Sequence, residues 1–320
     1  MKTVILLLFI FCEIASGQPA KSYESKEPIP EPRIFEPGII SSGDYETHPA
    51  FSPDGNTLYF VKMAPDLTKW TIFVTYYQNG HWSFPEIAPF SGQYWDADPF
   101  FTKDGNTLYF ISNRPLKRGD TQKDFDIWKI EKSGSGWSDP IHLDAPINSA
   151  WSEYYPTVAD DGTMFFGSRR AGGKGGCDLY ESRLENGVYR TVSNLGDSVN
   201  TPGNEFEPFI ASDQSFLIFM ATPSESLEQA DLYVSFPEDG QWSKPAKLPA
   251  PFNSDTTEFS PKITADGKYF FFSSTRNAHG TVFAKPEKTE EMNKRIREYG
   301  NGLCDIYQVD FSALQKVLKK

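Results

Sequence analysis

Residues 96–114 read DADPFFTKDGNTLYFISNR, and the fold follows from how this stretch is built. Asp96 stands three residues before Pro99, an apolar run leads to Asp104-Gly105, and Leu108-Tyr109-Phe110-Ile111-Ser112 follows. Asp and Gly tolerate the dihedrals of a tight turn, and aromatic residues favour a pleated backbone, so the stretch predicts two short strands joined by a turn. Part of it, DGNTLYF, recurs at 54–60, which marks a repeat protein.

Working outward, five segments share the frame. The acids are Glu46, Asp96, Glu153, Glu205 and Glu258; the prolines are Pro49, Pro99, Pro156, Pro208 and Pro261. The turn aspartates, Asp54, Asp104, Asp161, Asp213 and Asp266, each follow their proline by five residues. A third element comes next: Asp126-Ile127-Trp128, Asp178-Leu179-Tyr180, Asp231-Leu232-Tyr233 and Asp305-Ile306-Tyr307, with Thr71-Ile72-Phe73 in the first unit. In the first four units an aromatic stands eleven residues further on, at Trp82, Trp137, Tyr189 and Trp242, and three of these continue as Trp-Ser-x-Pro. Four short antiparallel strands in about 50 residues is the pattern of a propeller blade. The fifth unit lacks its last strand, since Lys316 occupies that place. Ile34-Phe35-Glu36-Pro37 fits the vacant slot, so the expectation is an all-β, five-bladed propeller closed by an N-terminal strand.

At the amino terminus, Met1-Lys2-Thr3, the apolar run Val4 to Cys12 and the small residues Ala15-Ser16-Gly17 describe a secretory signal peptide over 1–17. The run is too short to span a bilayer. The chain is therefore expected to be exported, to the periplasm or beyond the cell, and not to span the membrane. Residues 18–34, with four prolines and few large apolar side chains, read as a flexible leader before a propeller at 35–312 and a short tail at 313–320. A polar insertion at 277–303 carries Glu290–Lys294 and Glu291–Arg295 at helical spacing, which predicts a short helix. With Cys12 removed, only Cys177 and Cys304 remain, both expected to be free thiols, so a packed core must supply the stability. A net charge of −12 with no basic block argues against a nucleic-acid partner.

Taken together, the E-x-x-P, D-G-x-x-L-Y-F-x-S-x-R, D-I-Y and W-S-x-P elements resemble the WD-repeat-like β-propeller family of the TolB type, over about 35–310. The resemblance implies an exported bacterial protein that serves as an interaction platform at the cell envelope. Arg114, Arg170 and Arg276 keep the Arg of Ser-x-Arg; the first unit has Ala64 near that place and the fourth reads Ala221-Thr222-Pro223.

Two sets of residues are candidates for a site. The acids Glu46, Asp96, Glu153, Glu205 and Glu258 would ring one mouth of the channel if the first strands line it, and oxygen ligands suit a hard cation such as calcium. The competing reading is that each acid bonds backbone amides or the neighbouring Arg and locks the blades; a residue present in every repeat is more often architectural. Glu46 and Glu205, whose units lack the Arg, are expected to be the least compensated. Trp70, Tyr94, Trp95, Trp151 and Tyr154 lie near loops and could build a binding face that stacks on sugar rings or clamps a peptide.

Signatures of catalysis are missing from the sequence. The four histidines lack metal-ligand spacing, Gly172–Gly176 lacks the order of a phosphate loop, and neither G-x-S-x-G nor H-E-x-x-H occurs. Ser52-Pro53-Asp54-Gly55 departs from the S-x-D-x-G-x-x-W box of a sialidase propeller. The expected function is a non-enzymatic scaffold for an envelope protein or peptide. The alternative is a carbohydrate-active or glycan-binding propeller, of the lyase or glycosidase class.

Overall fold

The computed structural model describes residues 21–319 except 65, 118, 120–123, 135, 223–228 and 281–284. The signal peptide expected at 1–17 lies outside the described residues. Each frame becomes a blade whose innermost strand starts at or beside the repeat acid: Tyr45–Phe51, Asp96–Phe101, Glu153–Val158, Asn204–Ile210 and Glu258–Ile263. The Asp-Gly turn returns each of these into a second strand, Thr57–Met63, Thr107–Ser112, Met164–Ser168, Leu217–Thr222 or Tyr269–Ser274. In the repeated sequence, the Asp54 carboxylate accepts the Asn56 amide at 3.0 Å, and Gly55 takes the positive φ the turn requires. The third strands, Thr71–Gln78, Asp126–Ser133, Asp178–Ser182, Asp231–Ser235 and Asp305–Asp310, pair antiparallel with the second. Five small sheets result, and together they form the five-bladed propeller the repeats predict, with four strands to a blade.

The outermost strand differs in detail from the sequence reading. Trp82 and Trp137 form a hairpin with the end of their own third strand, and the outer strand, Glu86–Ile87 or Ile141–His142, begins four residues later. The closing strand shows the same shift. Arg33–Ile34 pairs with Gln308 and Tyr307, and the Phe35 amide bonds the Ile306 carbonyl at 2.8 Å. That places Phe35 where Ala88 and Leu143 stand in the first two blades, bonded to Ile72 and Ile127. Ile29-Pro30-Glu31-Pro32, not 34–37, is thus the counterpart of Trp-Ser-x-Pro. Closure by the N-terminal segment holds, in a register five residues upstream. The described part of the expected leader is packed against the fifth blade. Tyr23 and Ile29 are buried, Ile29 exchanges two backbone-side bonds with Asp310, and Gln308 donates to the Tyr23 carbonyl at 2.6 Å.

Neighbouring blades are tied by a device repeated before every inner strand. Five residues ahead of the acid, Asn148, Asn200 and Asn253 accept the amides of Ile127, Leu179 and Leu232 in the preceding blade at 2.7–2.8 Å. Ser91 and Ser41 serve Ile72 and Ile306 in the same way. The next residue in four of the five, Ser42, Ser149, Thr201 or Ser254, bonds the acid of its own blade. Apolar strand faces fill the gaps between blades, with Leu108, Phe110, Ile111 and Ile127 fully buried in the largest cluster. Removing such side chains from water is the main favourable term in folding.

Beyond the last strand, Phe311–Leu318 forms a helix that buries Phe311 and Leu314 against the fourth and fifth blades, where the sequence suggests a tail. The insertion does carry a helix, Thr289–Arg295. Among the described residues its ion pairs include Arg295–Glu287 at 2.8 Å and Lys294–Glu298 at 3.4 Å. No described helix is long and apolar enough to cross a membrane.

Candidate functional site

The five repeat acids do not face the channel. All are fully buried and turned into their own blades. Glu258 accepts Ser254 N and Oγ at 2.9 and 2.6 Å, Ser274 Oγ at 2.7 Å and Arg276 Nη2 at 3.1 Å. Glu153 repeats this with Ser149, Ser168 and Arg170. Asp96, one carbon shorter, reaches Ser91 Oγ and Arg114 Nη2, each at 2.8 Å. The strand register explains the pattern: Ser112, Ser168 and Ser274 stand opposite the acid, and the Arg two residues on curls back to it. In the first blade Lys62 takes the Ser position and bonds Glu46 at 3.0 Å, so Glu46 is compensated, contrary to the expectation from its missing Arg. In the fourth blade the opposite residue is Ala221. Among the described residues Glu205 is left with Thr201 N and Oγ1, and burial pushes its pKa up to about 7. Among the described residues no group of three His, Cys, Asp or Glu is arranged to hold a metal ion.

The channel is occupied instead by the residue two after each acid: His48, Asp98, Tyr155, Glu207 and Ser260. All five have left-handed backbone, φ between 48° and 56°, and each sits at a register shift of its strand, next to a proline that offers the ladder no N–H. The bulge turns these side chains toward one another across the axis. His48 Nε2 lies 3.1 Å from Asp98 and 3.2 Å from Glu207. Asp98 accepts the Tyr155 amide at 2.8 Å, Glu207 the Ser260 amide at 2.5 Å, and Tyr155 donates its hydroxyl to the Pro261 carbonyl at 3.3 Å. Burial opposes a charge on His48, but Glu207 and Asp98 outweigh it and hold its pKa above the usual imidazole value. Burial also raises Asp98 to about 6, with His48 pulling the other way. The result is a polar plug at mid-height, joining four blades to the first. Sequence reasoning missed it because the acid-x-x-Pro frame treats this position as filler. The available signal was five unlike residues, four of them ionisable, at one fixed place.

Above the plug, on the face where inner and third strands begin, the candidate aromatics converge. Trp70 stacks on Phe125 with centroids 5.0 Å apart and meets Trp95 at 6.0 Å. Phe125 reaches Tyr154 at 6.0 Å, and Tyr154 reaches Phe206 at 5.8 Å. The Arg169 guanidinium covers the far end, 5.4 Å from Phe206 and 5.9 Å from Tyr154. Trp70, Trp95, Phe125 and Tyr154 are all half-buried, so each keeps a free edge or face. This ridge crosses from the first blade to the fourth. Tyr94 sits aside, against Arg114 at 5.7 Å, and Trp151 is 53 % exposed outside the ridge. Phe125 and Phe206 were not singled out from sequence, because a Phe beside a strand reads as core. Cys177 and Cys304 are free, fully buried thiols beneath this face, and burial raises both well above the usual thiol value.

No family model and no curated protein matches the chain. Several solved structures align with part or most of it. TolB from Acinetobacter baumannii aligns with TM-score 0.48 and 15 % identity over 83 % of this chain and 54 % of its own, so the chain spans about half of that protein. An alpha-L-arabinofuranosidase from Lactobacillus brevis aligns with TM-score 0.49 and 11 % identity over 84 % and 91 %. A protein of unknown function from Dyadobacter fermentans aligns with TM-score 0.48 and 14 % identity over 88 % and 100 %. At these TM-scores and identities none of these likenesses carries a property over to this chain.

Proposed function

We propose that this chain is an exported, non-enzymatic scaffold whose aromatic ridge holds an extended peptide segment of an envelope protein. The observation that carries the reading is the continuous row Trp70–Trp95–Phe125–Tyr154–Phe206, half-open at four of its five rings and ended by Arg169. Aromatic side chains supply large contact area at low entropic cost, and a row of them with a cation at one end suits an extended chain carrying apolar residues and an acid. The carbohydrate-active alternative would draw on Asp98 and Glu207, the two carboxylates at the axis that the repeat does not explain. Both accept bonds from His48 and from backbone amides of the protein, which supports a structural role for them. Panning a displayed peptide library on the full chain tests the proposal. Peptides enriched on the wild type should be lost on Trp70→Ala and Trp95→Ala and kept on Trp151→Ala. Enrichment that survives both ridge variants would overturn it, as would release of reducing sugar from a polysaccharide panel.

A further inference from the structure

The plug divides the channel, and the half below it has a different character. Four residues after each acid come Ala50, Phe100, Thr157, Phe209 and Lys262. All but Thr157 line a cavity of about 640 Å³ that opens between the Asp-Gly turns, on the face opposite the aromatic ridge. Its inner walls are apolar, with Phe51, Ile263 and Phe271 beside Phe100 and Phe209, and its rim carries the exposed Lys103, Asp160, Asp213 and Lys319. Lys262 is the buried cation among them, 7 % exposed, with its Nζ 4.2 Å from the Tyr155 ring centroid and 4.6 Å from that of Phe100. An ammonium carries three donors and no acceptor. Among the described residues none accepts a hydrogen bond from it or pairs with it, while the carboxylates above, Asp98 and Glu207, are taken by His48 and by the Tyr155 and Ser260 amides. A cavity of this volume, with aromatic inner walls around one buried cation and its other charges at the exposed rim, has the make-up of a small-molecule site.

We infer that this cavity binds an apolar small molecule ending in a carboxylate, whose oxygens accept the Lys262 ammonium while the hydrocarbon body lies among Phe51, Phe100 and Phe209. A neutral head of the same length would leave the ammonium without a charged acceptor, so the anion supplies the selectivity. Burial lowers the Lys262 pKa to about 7, and an arriving carboxylate would raise it, so binding should take up protons from the buffer above that pH. The site lies across the plug from the aromatic ridge, and its test does not depend on peptide binding.

The test is calorimetric titration of the full chain with decanoate and with 1-decanol, each below the concentration at which it self-associates. Decanoate should bind one to one and at least tenfold more tightly than 1-decanol, with proton uptake at pH 8. Lys262→Met, which keeps length and removes charge, should bring decanoate down to the affinity of 1-decanol or below. Equal affinities on the wild type would overturn the inference even if the variant failed to fold, and so would no binding of decanoate at all. Unchanged decanoate affinity in a folded Lys262→Met would overturn it as well.

Discussion

The same substitution at equivalent places in two blades should have opposite effects. Glu205 and Glu258 are both fully buried and both take bonds from the residue four positions earlier, but of the two only Glu258 has an arginine among the described residues. Burial moves the Glu205 carboxyl from 4.5 to about 7. An acid of this kind binds more protons folded than unfolded between those values. Its contribution is therefore fully present below pH 4.5 and lost as pH rises through about 7. At 1.36 kcal/mol per pH unit, the ionised form burdens the fold by about 3 kcal/mol at pH 8. Glu205→Gln removes that charge; its amide oxygen can accept Thr201 N and its NH₂ can donate to Thr201 Oγ1. It should thus stabilise the chain by about 1–3 kcal/mol at pH 8, have little effect at pH 5, and flatten the decline of stability between them. Glu258→Gln leaves the Arg276 charge with only carbonyls and a hydroxyl, and should destabilise by about 3 kcal/mol at both pH values. Urea unfolding of the three proteins at pH 5 and pH 8 reads both effects as shifts in midpoint. If Glu205→Gln were less stable than wild type at pH 8, or kept the same dependence on pH, the assignment of an uncompensated acid would fail.

Phe35 packs edge-to-face on Phe51, Trp82 and Phe271, so Phe35→Ala should cost about 3–5 kcal/mol, and deleting 18–42 should lower the melting temperature further; an unchanged melt would place the closure elsewhere. Asp98→Ala strips His48 of one of its two anions and the Tyr155 amide of its acceptor, and should destabilise by about 3–5 kcal/mol in the same urea assay. Export predicts that protein recovered from its native host begins near Gln18 on N-terminal sequencing, and a pool retaining Met1 inside the cell would contradict it.

Much of the architecture is legible because a propeller repeats its constraints. A proline that interrupts the ladder and a turn aspartate that caps its own loop must recur at fixed offsets, and they do. Closure is legible as a strand missing from the fifth unit, but its register is not. Ile29 has replaced the aromatic that marks the slot elsewhere, so the proline at 37 drew the alignment away from Pro32. Compensation of Glu46 was hidden for a related reason: Lys62 acts from the position opposite the acid, two residues before the place an Arg would occupy. The axial plug is less legible still. Its position is defined by a left-handed backbone and not by a residue type, so His48, Asp98, Tyr155, Glu207 and Ser260 share nothing a motif can record. Of the aromatics, Trp70, Trp95 and Tyr154 could be picked out by their place before or at a strand start, whereas contact between them depends on how far each blade is rotated about the axis.

The manner of closure has a consequence for how the protein is made. Tyr23 is bonded to Gln308, Ser41 to Ile306 and Ser25 to Tyr269, so a segment made before the first blade is held by strands of the fifth. Until residue 310 has emerged, four blades can stand only as an open arc with an uncovered apolar face at each end. The slow step should then be the meeting of the two chain ends, since contacts this distant in sequence cost the most loop entropy and delay folding. Export in an unfolded form would postpone that meeting until the whole chain has crossed. A ribosome stalled before the third strand of the fifth blade would leave Arg33–Ile34 without the strand it pairs with.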